Sequence, residues 1–301
     1  MKKILYVEHF VNEWTTLFLE ELSKNNYELT VFSLIKHKSR DNIVFIDTIS
    51  ILNKNFDLVI INGTGDGTQN ITQFFDPKNT TLYLLNTVST TELHANCIFR
   101  AKYLGYSTEE QYKHLVEVDK SFKNKSIQIN KAIIIPEKKN NFFNFFRKKY
   151  SIQTKYLIVL SGTSFWKNKK SFEIIHTFTK VNRDDITLVV LGNHSQTEKE
   201  PYKNVLNIEN TECLNAIDAC DLYISINDTL VLEVIARKKP WVYYQSEFGL
   251  YGYNYQNLNQ LQYYIFTKIE NYLKPLPSAY KYILENHSFE KMVKTISKLI
   301  A

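Results

Sequence analysis

Between residues 219 and 244 the chain reads ACDLYISINDTLVLEVIARKKPWVYY, a strand, a short polar loop, a helix and a second strand in immediate succession. No other stretch constrains the fold as much. The apolar run over 222–226 predicts a strand. Asn227, Asp228 and Thr229 then offer side chains that accept hydrogen bonds from the unpaired amides of a first helical turn. Leu230, Val231, Val234 and Ile235 keep helical spacing, and Pro240 forbids continuation before the strand over 241–244. A strand that ends on a helix N-terminus favours an anion there, because free amides and the helix dipole both attract negative charge. Glu233, one turn further on, is placed to accept hydrogen bonds from two sugar hydroxyls. Amides for a diphosphate and a carboxylate for a ribose are what a nucleotide-sugar requires. The same pattern also describes an ordinary strand–helix unit with a solvated glutamate.

The rest of the chain repeats this alternation. In the first half the spacing predicts strands over 4–7, 27–34, 43–46, 57–61, 81–85, 102–105 and 131–135, with helices over 15–24 and 108–118. A loop over 8–12 joins the first strand to the first helix. The opening strand–helix–strand unit has no GxGxxG fingerprint, which disfavours a dinucleotide-dependent dehydrogenase. The densest glycine cluster, Gly63, Gly65 and Gly67, follows the strand over 57–61 and gives a loop the freedom to pass close to a ligand. In the second half strands are expected over 156–160, 186–191 and 205–208 and helices over 170–181, 212–219, 276–285 and 289–300, the last amphipathic through Met292, Ile296 and Ile300. Residues 251–264 are rich in Tyr and Asn and show no period.

A chain of 301 residues is long for one domain, and two α/β domains are expected. Hydrophobic residues at 44% and charged residues at 23% suit globular cores. The net charge of +6 permits an anionic ligand, a membrane surface or nucleic acid without requiring any of them. Cys97, Cys213 and Cys220 are odd in number and lack CxxC spacing, so neither a disulfide framework nor a zinc site is expected, and a reducing cytoplasm is the simplest setting. No signal-peptide core is visible near Met1, and no apolar run approaches the roughly 20 residues of a membrane span.

A change of character at EKKNNFFNFFRKKY, residues 137–150, marks the boundary between halves. Phe142, Phe143, Phe145 and Phe146 beside Arg147, Lys148 and Lys149 fit either a peripheral membrane foot on acidic lipid or a linker whose rings pack on the second domain. The expected division is 1–140 for an acceptor-side domain, 141–285 for a nucleotide-sugar domain, and 286–301 for a helix returning to the first.

These features, in this order, resemble the GT-B fold glycosyltransferases, family 4 above all, across nearly the whole chain. MKKILYVEHF with ELSKNNYELTVFS resembles the opening strand, helix and strand of that family. AKYLGYSTEEQYKHL resembles its strand ending in Ser before a helix, and INKAIIIPE its strand before the interdomain linker. LIVLSGTSFWKNKKSFEIIHTF is similar to the start of its nucleotide domain, and ITLVVLGN, NVLNIENTECLNAIDACDLYIS and LEVIARKKPWV follow in order. The resemblance implies an α/β chain of two Rossmann-like, doubly wound parallel-sheet domains facing across a cleft. It implies a glycosyltransferase, hexosyltransferase-type, that moves a sugar from a nucleotide-sugar, UDP-sugar first among these, to a glycan or lipid-linked acceptor. No further cofactor is implied. The chain would work in the cytoplasm, at the inner face of the membrane if the Phe-rich foot docks there.

Carried onto matching positions, Lys167 or Lys169 would neutralise the diphosphate, Asp228 with the amides of Thr229 and Leu230 would cap it, and Glu233 would hold the ribose. Gly162, Thr163, Ser164, Gly192 and Ile208 complete the donor-side set. In the first half His9, Glu13 and Asp66 are expected in loops after predicted parallel strands and are the candidate catalytic groups, one of them a general base if the reaction inverts. No Asp-x-Asp pair is present, so a metal-independent reaction is expected. The chain departs from the family at Ser225, where the first of two glutamates eight positions apart is usual, at Thr163 in place of Arg, and at Asn86, where His is frequent. TSFWKNKKSF also resembles a loop of phage DNA-base glucosyltransferases, which would make duplex DNA the acceptor. Ser225 equally admits a glycosyltransferase-like partner subunit without catalysis.

Overall fold

The computed structural model describes residues 1–8, 11–33, 43–46, 55–63, 80–86, 92, 94–136, 142–161, 169–192, 202–209, 212–226, 230–244, 253–275 and 277–300. They form two compact units, residues 1–133 with 285–301, and residues 134–284.

The first unit is built on β1 (Lys3–Glu8), whose Ile4, Leu5, Tyr6 and Val7 are all buried. A strand apolar on both faces belongs in the middle of a parallel sheet, and β1 lies there, with β2 (Glu28–Phe32) on one side and β4 (Leu58–Asn62) on the other. With β3 (Ile43–Ile46), β5 (Thr81–Leu84), β6 (Tyr103–Tyr106) and β7 (Ser126–Gln128) the sheet has the order β3-β2-β1-β4-β5-β6-β7, every neighbouring pair parallel. The order reverses between β1 and β4. Helix α1 (Glu13–Ser23) starts where Asn12 accepts from the amide of Thr15. A short α2 (Asn96–Arg100) and α3 (Glu109–Val118) follow, and α3 opens with a reciprocal cap between Thr108 and Gln111.

The second unit starts with α4 (Phe142–Lys149). Its sheet runs β10 (Val205–Glu209), β9 (Ile186–Gly192), β8 (Tyr156–Ser161), β11 (Leu222–Ser225), β12 (Trp241–Tyr244), β13 (Tyr253–Tyr255), again all parallel, with the switch between β8 and β11. Helices α5 (Lys169–Val181), α6 (Cys213–Ala219) and α7 (Val231–Ala236) connect these strands. Leu258–Gln260 and a π-helical turn, Leu261–Phe266, precede α8 (Pro277–Asn286). The chain then re-enters the first unit as α9 (Phe289–Ser297), with Met292, Val293 and Ile296 buried in the core that holds Ile4, Tyr6 and Phe18.

Three expectations are corrected. Residues 131–135 form no strand, although Ala132 and Ile133 are buried, because their amides are engaged elsewhere. Lys131 N donates to Ser107 Oγ at 2.9 Å, Ala132 N approaches Met292 Sδ at 3.4 Å and Ile133 N donates to His287 O at 2.9 Å. The edge strand is β7 instead. Residues within 137–150 are not all linker, since α4 is anchored by Arg147, which donates to Thr154 O at 2.7 Å and Asp221 Oδ2 at 2.8 Å. Phe146 is fully buried and so cannot serve as a membrane anchor, whereas Phe145 is 61% exposed. Glu8, expected in a loop, is the last residue of β1. Among the described residues no helix is long and apolar enough to cross a membrane.

Candidate functional site

In an open parallel sheet, ligands bind beyond the carboxyl ends of the strands where strand order reverses. In the first unit that point is where Glu8 ends β1 and Asn62 ends β4, and the two are register partners. Asn62 Nδ2 donates to Glu8 Oε1 and to the Tyr6 hydroxyl, both at 2.8 Å. Asn86 Nδ2 donates to Asn62 Oδ1 at 2.8 Å, and Lys131 Nζ donates to Asn86 Oδ1 at 2.7 Å. All the amide dipoles therefore run in one direction, from an ammonium at Lys131 to a carboxyl at Glu8. Tyr6 and Thr15 hydroxyls donate to Glu8 Oε2. A second branch joins Glu92, which accepts from Asn86 N at 2.8 Å and the Tyr83 hydroxyl at 3.0 Å.

Burial sets the electrostatics here. It pushes the Glu8 carboxyl up to about 7, against the pull of its hydroxyl and amide donors and the Lys131 charge. The Tyr6 hydroxyl is held above its ordinary range by burial and by the Glu8 charge, and that of Tyr83 by burial and Glu92. Lys131 is fixed from two sides. Ser107 Oγ accepts its amide while donating to Ile129 O at 3.0 Å, and its ammonium lies 5.2 Å from the Trp14 ring centroid. Trp14, Asn62, Asn86, Ser107, Lys131 and Met292 line part of a small recess at this end of the sheet.

Of the candidate catalytic groups, Glu13 does not lie in a loop but begins α1, with its side chain exposed, and His9 and Asp66 lie outside the described residues. Glu8, Asn62 and Lys131 were not singled out from sequence. The available signal was their position: Glu8 and Asn62 each end a buried strand of a parallel sheet. Asn86 was noted only as a replacement for His, and it is the link between Asn62 and Lys131.

In the second unit Gly162, Thr163, Ser164, Lys167, Asp228 and Thr229 lie outside the described residues. Lys169 is the first residue of α5, its side chain 89% exposed and 3.8 Å from Glu173. Gly192 ends β9 opposite Glu209, and Ile208 pairs with Leu191 on the same two strands. Leu230 precedes α7 without a side-chain cap. Glu233 Oε2 accepts from Arg237 Nη1 at 2.5 Å, and Arg237 Nε lies 3.1 Å from Asp218, so the carboxylate is oriented by its own helix. Ser225 ends β11 fully buried, and its hydroxyl has no hydrogen-bond partner among the described residues. Also among the described residues, no group of three or more His, Cys, Asp or Glu is placed to hold a metal ion.

No protein-family profile and no curated protein sequence matches the chain. Solved structures do. Alr3699/HepE from Anabaena, crystallised with UDP and glucose, superposes with a TM-score of 0.67 at 11% identity, covering 99% of both chains. A glycosyltransferase from Rickettsia africae gives 0.65 at 13% identity, covering 99% of this chain and 97% of that one. WaaG, a glycosyltransferase of lipopolysaccharide biosynthesis, gives 0.64 at 12% identity over 99% of each. The chain thus has the GT-B fold of two Rossmann-like domains, over nearly its full length.

Proposed function

We propose that the protein is a glycosyltransferase that moves a sugar, a hexose first among the candidates, from a nucleotide-sugar to a hydroxyl of a glycan or lipid-linked acceptor. The observation that carries this reading is the GT-B fold over 99% of the chain combined with a buried, directional polar network at the switch point of the first sheet. HepE was crystallised with UDP and glucose, which favours a UDP-sugar as donor. The nucleotide-sugar is a substrate and no further cofactor is invoked. The cytoplasmic side of a membrane is where such donors and lipid-linked acceptors meet, and among the described side chains of α4 Phe145, Lys148 and Lys149 are exposed and suited to peripheral contact there.

Donor residues belong to the second unit. Lys167 or Lys169 neutralises the diphosphate, Asp228 and the amides of Thr229 and Leu230 cap it, and Glu233, oriented by Arg237, holds the ribose. Gly162, Thr163, Ser164, Gly192 and Ile208 shape the remainder of that site. In the first unit Glu8, near neutrality, is the group best suited to take the proton of the attacking hydroxyl, with His9, Glu13 and Asp66 as the other candidates. The acceptor oxygen bonds to the anomeric carbon as the carbon–oxygen bond to the diphosphate breaks. The proton passes to Glu8 and the nucleoside diphosphate leaves. The absence of Asp-x-Asp supports a reaction that needs no metal.

The test is release of nucleoside diphosphate from a panel of nucleotide-sugars, UDP-glucose and UDP-galactose first, with and without EDTA and with short glycans as acceptors. Turnover that survives EDTA and falls by about 10²-fold or more in Glu8→Gln supports both the reaction and the proton acceptor. Turnover unchanged in Glu8→Gln returns the base to His9, Glu13 or Asp66. No turnover with any donor removes the enzymatic reading.

A further inference from the structure

From 253 to 267 the chain carries no charged side chain, although charged residues make up 23% of the whole. This stretch, aperiodic in sequence, folds into edge strand β13, one short helical turn and the π-helical turn Leu261–Phe266. π-Helical turns are rare and concentrate at functional sites. Leu261, Ile265 and Phe266 are buried in the core of the second unit and fix the segment. Its outer side is made of amides and phenols: Asn254, Gln256, Asn257, Asn259 and Gln260 are exposed, and Tyr263 and Tyr264 are 57% and 40% exposed.

The rings are set by their neighbours. Tyr264 stacks on buried Tyr255 with centroids 5.8 Å apart and planes 15° from parallel, and meets Tyr272 at 6.3 Å and 75°. Tyr263 stands 85° to Tyr264 at 5.1 Å. Two exposed phenols at a right angle, supported by two more beneath, form a corner that needs little ordering to receive a ligand. The chemistry of that corner selects the ligand. Nucleic acid or anionic lipid would call for Lys and Arg turned toward the ligand, whereas Arg183, which donates to Phe266 O and Thr267 O, is paired with Asp185 and Glu270, and a hydrophobic partner would call for aliphatic side chains in place of amides. Ring faces edged by amides that both donate and accept match a neutral polyhydroxyl chain, whose C–H faces stack on aromatic rings and whose hydroxyls pair with amides.

We propose that the tyrosine–amide surface of β13 and the π-helical turn, centred on Tyr263 and Tyr264, is a binding site for an uncharged glycan chain. It shares none of the residues assigned to donor or acceptor above, and does not depend on the protein being a glycosyltransferase.

The test uses the full chain with excess UDP present and high salt to remove charge effects. Maltoheptaose, cellohexaose and mannohexaose, each immobilised, are the probes in a biosensor assay. At least one should bind the wild type. The double variant Tyr263→Ala/Tyr264→Ala should bind that probe about tenfold more weakly or worse, the scale of losing stacked rings. Its melting temperature should stay near that of the wild type, and Tyr263→Phe should retain binding. No binding of any probe by the wild type overturns the proposal, as does equal binding by the double variant. A concentration-dependent dimer abolished by the same substitutions would also overturn it, assigning the surface to a second copy of the chain.

Discussion

Glu8 sits between opposing influences, burial that favours its neutral form and, favouring its charged one, the hydroxyls of Thr15 and Tyr6 and then the charge of Lys131. Its folded-state value of about 7 lies above the 4.5 of an unperturbed glutamate, so between these limits the native protein binds the extra proton. The stability contributed by this group is therefore complete below about pH 4.5 and is lost as pH rises toward 7. Glu8→Gln, which keeps the acceptor for Asn62, should remove this component. In urea titrations across pH 4 to 8 the variant's advantage over wild type should grow between pH 4.5 and 7 and then level off. A pH-independent difference would place Glu8 in a solvated setting. Removing the cation tests the last of these: Lys131→Met should raise the Glu8 value further, seen as a later carboxyl titration by carbon NMR, and a fall would contradict the direction of the network.

At the scale of elements, regular structure was legible wherever local pattern and tertiary demand agreed. The βαβ opening, the strand over 43–46 and the strand over 241–244 are examples, because short runs of β-branched and aromatic residues leave few alternatives. Thr108 shows such a cap at work: its hydroxyl accepts from Gln111 N while the Gln111 side chain accepts from Thr108 N. Thr108→Ala should cost about 1 kcal/mol in urea unfolding with an unchanged slope. Residues 131–135 were misread because an apolar run reports burial, not which partner takes its amides, and Ser107, Met292 and His287 are distant in sequence. The polar network was hidden for the same reason. Glu8, Asn62, Asn86 and Lys131 have no motif spacing and become one site only through strand register. His287 illustrates a consequence of that long-range packing. It is 2% exposed, its Nδ1 donates to Lys131 O at 2.9 Å, and burial holds its ring below the ordinary histidine value. A base with a lowered folded value contributes stability that is complete above about pH 6.5 and is lost as pH falls below it. His287→Gln should flatten the acid side of the stability profile, the opposite sign from Glu8.

At the scale of the molecule, the chain leaves the first unit after Ile133 and returns at Glu285, closing that unit's core with its own C-terminal segment. Ile296 is fully buried on α9, and Trp14 of α1 lies 5.7 Å from Phe289. Ile296→Ala should destabilise the first unit by about 2–4 kcal/mol in urea unfolding, the scale of a cavity in a core. If this two-unit fold serves a nucleotide-sugar, the native protein binds one. The measurement is a thermal-shift panel of UDP, GDP, ADP, CMP and their common sugars, with and without EDTA, on wild type and Glu233→Ala. A ligand that binds only the native state raises the melting temperature. The expected result is an EDTA-insensitive rise with one nucleotide, UDP first among them, that Glu233→Ala diminishes. Melting temperatures unmoved by every nucleotide and nucleotide-sugar would contradict it.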